Sequence, residues 1–95
     1  MAEPCINRLT ILGQPNLVAR VQWEPQLEAR YIELLEQSPK RMAWTFETQQ
    51  APLRALAELS RRWPKVTLLL DYDHERVKGM ARARGGTVEL HQIQY

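Results

Sequence analysis

Two adjacent glycines, Gly85 and Gly86, constrain this chain more than any other feature. A two-residue hairpin turn needs positive φ at both central positions, and Gly-Gly meets that need without a steric cost. The flanking runs, 77–84 (VKGMARAR) and 87–94 (TVELHQIQ), read as its two strands, and 65–72 (KVTLLLDY) reads as a third. The Gly-Gly turn pairs Arg84 with Thr87, Ala83 with Val88 and Ala81 with Leu90. Reading Asp73-His74-Glu75-Arg76 as a four-residue turn pairs Tyr72 with Val77 and Leu68 with Ala81. One face then carries Val66, Leu68, Leu70, Tyr72, Val77, Gly79, Ala81, Ala83, Val88 and Leu90. The other carries Thr67, Leu69, Asp71, Lys78, Met80, Arg82, Arg84, Glu89, His91 and Ile93, with Asp71 opposite Lys78 and Arg82 opposite Glu89.

The rest of the chain supplies two more strands and the helices to cover the apolar face. Residues 5–12 (CINRLTIL) read as a strand with Leu9 and Ile11 on one side, ended by Gly13-Gln14-Pro15. Residues 42–48 (MAWTFET) alternate, with Met42, Trp44, Phe46 and Thr48 together. Residues 15–22 favour a short helical segment. From Pro25 onward Leu27, Tyr31, Leu34 and Leu35 recur at helical spacing up to Ser38-Pro39, and Leu53, Leu56, Leu59 and Trp63 do so between Pro52 and Pro64. The expected architecture is a single α+β domain over 1–95: a two-layer sandwich, ferredoxin-like, with a mainly antiparallel sheet and helices on one face.

Several positions also resemble the YubB-type ferredoxin-like family of plasmid- and phage-associated bacterial proteins. They are Cys5-x-Asn7-x-Leu9-x-Ile11-x-Gly13, Trp44-x-Phe46-x-Thr48 with Pro52, Leu59-Ser60-x-x-Trp63-Pro64, and Leu68-x-Leu70-x-Tyr72 with Gly79. Val77 stands where that family usually has an aromatic residue. The resemblance implies a fold; the family has no established activity to carry over.

Length and composition bound the function. A chain of 95 residues buries roughly 60–68% of its unfolded surface, which leaves little material for a deep pocket beside the core. Net charge is +2, from 13 basic and 11 acidic residues, and that balance does not demand nucleic acid. No apolar run is long enough to span a membrane. Met1-Ala2-Glu3-Pro4 lacks the basic-then-apolar pattern of a leader, so a cytoplasmic protein is expected. The lone cysteine, Cys5, excludes an internal disulfide and a multi-cysteine zinc site. Phosphate-binding glycine loops, a serine nucleophile elbow and a His-Glu metal helix are all missing, so no catalytic residue, metal ligand or cofactor is assigned.

Three features carry the functional expectations. Leu69, Met80, His91 and Ile93 fall on the sheet face away from the helices, and an open face with such a cluster suits a protein partner or a homodimer. Lys78, Arg82 and Arg84 form a basic stripe that could contact phosphates, with Arg8 and Arg41 assisting. The absence of Phe or Trp for base stacking makes nucleic acid the second reading. Asp71, Tyr72, Asp73, His74 and Glu75 concentrate potential metal ligands, and a metal-site or enzymatic role there is the third reading. Cys5 with His74 or His91 has no nucleophile signature around it. Trp44 and Trp63 belong with the core, whereas Trp23, at the break before Pro25, has the weakest claim to it.

Overall fold

The computed structural model describes residues 3–95. Met1 and Ala2, from which the leader reading partly derives, lie outside the described residues. The Gly-Gly turn forms as its chemistry requires: Gly85 and Gly86 have φ of 59° and 89°. It joins β5 (Val77–Arg84) to β6 (Thr87–Gln94), pairing Arg84 with Thr87 and Ala81 with Leu90. The next turn upstream is shorter than expected. Glu75 and Arg76 adopt φ of 49° and 69°, so two non-glycine residues make a second two-residue turn. This turn pairs His74 with Val77 and joins β5 to β4 (Thr67–His74). The true register of β4 on β5 is therefore displaced by two residues from the expected one. Because side chains alternate with period two, the faces are preserved and only the cross-strand partners change. Leu69 lies opposite Arg82, Asp71 opposite Met80 and Asp73 opposite Lys78.

Upstream lie β1 (Cys5–Leu12), the one-turn helices α1 (Pro15–Val18) and α2 (Glu24–Leu27), β2 (Arg30–Ser38), β3 (Arg41–Thr48) and α3 (Leu53–Arg62). The six strands make one sheet in the order β2-β3-β1-β4-β5-β6, with every neighbouring pair antiparallel. This corrects the expected two-layer ferredoxin-like α+β sandwich. Strand accounts for 53% of the described chain and helix for 19%, and α3 alone exceeds a single turn. The helix expected from Pro25 to Ser38 stops at Glu28, whose φ is 53°, and the following residues become β2. As a strand the same segment satisfies its backbone on β3 through a two-residue turn at Pro39-Lys40, which pairs Ser38 with Arg41.

The hydrophobic core lies on the inner face of the sheet. Leu9 and Ile11 of β1, Phe46 of β3, Leu68 and Leu70 of β4, and Ala81 and Ala83 of β5 are buried against Leu56 and Leu59 of α3 and against Val18, Val21, Trp23 and Leu27. Each large side chain so buried contributes roughly 1.5–3 kcal/mol. Trp23 is fully buried, contrary to the expectation, with its ring 5.1 Å from Trp44 and 4.6 Å from Phe46. Among the described residues its Nε1–H meets no acceptor, which costs about 1–3 kcal/mol. α3 is also tied to the glycine turn, because the Gly86 N–H donates to Ser60 Oγ at 2.9 Å. Among the described residues no helix is long and apolar enough to cross a membrane.

Candidate interaction face

Among the described residues no helix packs on the outer face of the sheet. Between β1, β4, β5 and β6 this face forms a hollow of about 510 Å³. The floor is strand backbone, and the walls include Ile6, Met80 and Ile93, which are 47%, 63% and 66% exposed. Asp71, Asp73, Lys78 and His91 supply a polar margin. The hairpin registers dictate this arrangement. Met80 lies directly opposite His91 on β6 and Asp71 on β4, and Ile93 lies opposite Lys78. Of the four residues expected to share the face, Met80, His91 and Ile93 gather around the hollow. Leu69 does not line it, because the two-residue displacement of β4 carries it to Arg82.

Two tyrosines cross β5 on opposite faces at the same end of the sheet. On the inner face the Tyr72 ring lies over Gly79, where an added Cβ would come within 2.1 Å of it. Its hydroxyl reaches β6 and donates to Gln92 Oε1 at 2.6 Å. On the outer face Tyr95 reaches back from the end of β6 and donates its hydroxyl to Asp73 Oδ1 on β4 at 2.6 Å. The Lys78 ammonium sits 5.5 Å from the Tyr95 ring centre, within cation–π range. The Tyr95 N–H also donates to the Arg76 carbonyl at 2.8 Å, extending the β5–β6 ladder. The hydrogen bond to Asp73 is the main cause that pushes the Tyr95 phenol above its ordinary pKa, so it keeps its proton.

The basic stripe is present on β5 but not isolated. Lys78 is engaged with Tyr95, Arg82 faces Glu89 across the strands, and Arg84 donates to Thr67 Oγ1 at 3.4 Å. Arg8 shares the outer face, while Arg41 is paired with Glu36 at 3.2 Å. Alternation along β4 separates the potential metal ligands. Asp71 and Asp73 point outward, whereas Tyr72 and His74 point to the other face, and His74 Nε2 meets the Glu3 carbonyl at 3.0 Å. Among the described residues no group of three or more His, Cys, Asp or Glu side chains is placed to hold a metal ion.

Cys5 lies within a buried polar network instead of at a surface. Its thiol donates to Asn7 Oδ1 at 3.4 Å, and Asn7 Nδ2 donates to Thr48 Oγ1 at 2.9 Å and to the Cys5 carbonyl at 3.2 Å. Burial pushes the Cys5 thiol above its usual pKa, which keeps it in the poorly nucleophilic form.

Sequence reasoning overlooked Ile6 as part of the face. The signal was there, since a strand that buries Leu9 and Ile11 must send Ile6, Arg8 and Thr10 the other way. The two free sheet edges could not be identified without the strand order. Comparison with family models, with curated proteins and with solved structures returned no match.

Proposed function

We propose that this chain is a non-enzymatic protein-interaction domain that uses the open outer face around Met80, His91 and Ile93, with Ile6 completing the apolar wall in place of Leu69. The observation that supports the reading is the hollow itself: three large apolar side chains, each about half exposed or more, converge on a sheet face that no helix covers. Apolar surface gathered in one place favours association, whereas scattered aliphatics do not. The neighbouring charges alternate in sign, which suits a polar margin around a contact. They suit a phosphate backbone less, because Lys78, Arg82 and Arg84 already have neighbours.

The test is a concentration series of amide and methyl chemical shifts, with Met80→Glu as the variant. Shifts at Ile6 and Asp71, which line the hollow away from the β6 edge, that grow with concentration or with added partner, and vanish in the variant while circular dichroism is unchanged, support the face. A hollow that stays solvated up to about 1 mM, with no effect of Met80→Glu on any association, refutes it.

A further inference from the structure

The free edge of β6 offers a second contact surface, built from backbone instead of side chains. Among the described residues no strand lies beyond β6 in the sheet. The ladder to β5 is unbroken over eight residue pairs, from Val77–Gln94 to Arg84–Thr87. A two-residue turn makes its flanking residues a hydrogen-bonded pair. Thr87, Glu89, His91 and Ile93 therefore direct their N–H and C=O groups to β5, and the Tyr95 N–H bond to Arg76 continues the same phase. Val88, Leu90, Gln92 and Gln94 direct theirs outward. Such an edge is normally blunted by bulges, proline or charged side chains, lysine above all. β6, TVELHQIQ, has no bulge, proline or lysine, and its one formal charge is Glu89, whose N–H and C=O are already turned to β5.

We infer that β6 is a pairing edge for a second copy of this chain, in antiparallel register about a two-fold axis through Leu90. This inference does not depend on the outer face. With Leu90 opposite Leu90, Val88 of each copy meets Gln92 of the other, and these three pairs exchange about six backbone hydrogen bonds. On the outer face the same register sets Glu89 of one copy, an acceptor, against His91 of the second copy, a donor, on both sides of the axis. It also sets Thr87 against Ile93. On the inner face the 39%-exposed Leu90 side chain meets its own copy. The neighbouring register centred on His91 would instead stack two histidines and oppose Glu89 with Ile93, and the one centred on Gln92 would oppose Glu89 with Tyr95. Charge and polarity select the Leu90 register. The product is a continuous sheet of two six-stranded halves, and it sets the two outer hollows side by side.

Sedimentation and light scattering from about 1 μM to about 1 mM test this on the full chain. A dimer is expected. Leu90→Lys places like charges at the axis and weakens it by about a hundredfold, with circular dichroism unchanged. Glu89→Lys weakens it as well, and adding His91→Glu to that variant restores it, because the pairing is reversed but kept. Met80→Glu leaves the dimer in place. A monomer throughout the range, whether or not the edge takes up an added extended peptide, overturns the proposal. So does a dimer that survives Leu90→Lys but is lost in Met80→Glu, which would leave the outer-face reading standing alone.

Discussion

At one edge of the sheet β2 is interrupted twice, between Arg30 and Glu33 and again between Leu34 and Glu36. Tyr31 takes a positive φ of 54°, and Glu33 and Glu36 face the outer side. At the other edge β6 runs straight, with every residue in register. Both strands are largely exposed, and both expose large apolar groups: Tyr31, Ile32, Leu34 and Leu35 on β2, Leu90 and Ile93 on β6. The difference lies in the backbone. A bulge twists the outward N–H and C=O groups out of line, so the more apolar edge is the one that cannot template another strand. Exposed hydrophobicity alone would have selected β2; ladder geometry selects β6.

The edges also rest on different supports, so they can be perturbed separately. Trp23, with Trp44 and Phe46, lies under the β3 side. Trp23→Ala should cost about 3–5 kcal/mol in urea unfolding, the largest loss expected here. On the β6 side, Gly79→Ala drives a Cβ into the Tyr72 ring. It should cost about 1–3 kcal/mol and loosen β6 while β2 and β3 keep their amide protection. A result in which β2 loosens first would break the comparison. The β4–β5 turn offers a gain. Arg76→Gly relieves a left-handed residue at φ 69° and should stabilise by about 1 kcal/mol, seen as a higher urea midpoint with unchanged slope. The same change at Gly85-Gly86 has nothing to relieve.

The smallest effect lies on β1, between the two halves. The folded Cys5 pKa is raised by burial, so the unfolded chain releases that proton first. Stability from this group is complete below about pH 8.5 and is lost as pH rises toward the folded value. Tyr72 and Tyr95 are raised too and act with the same sign at higher pH. Cys5→Ala should therefore flatten the first part of the alkaline decline, measured as urea midpoint against pH.

The sheet faces of the last three strands were legible because Gly85-Gly86 is unambiguous and alternation is insensitive to a shift of two. The turn at 75–76 was not legible, because glutamate and arginine carry no preference for positive φ. That single misreading moved Leu69 away from Met80. β2 was misread as helix for a different reason. None of its residues is buried, so no inward face imposed a period of two on its sequence. The Pro39-Lys40 turn was its one local signal. Met80, His91 and Ile93 could be placed by parity alone, but the free edges follow from strand order, which is set by long-range pairing of β1 with β3 and β4.

Residue-resolved amide hydrogen exchange on the intact chain tests the contrast between the edges most directly. At about 1 mM the Val88, Leu90 and Gln92 amides should be protected, and protection should disappear on dilution or in Leu90→Lys. The outward amides of β2 should exchange freely at every concentration. Unprotected Val88, Leu90 and Gln92 amides at the highest concentration, or concentration-dependent protection along β2 instead, would contradict the account.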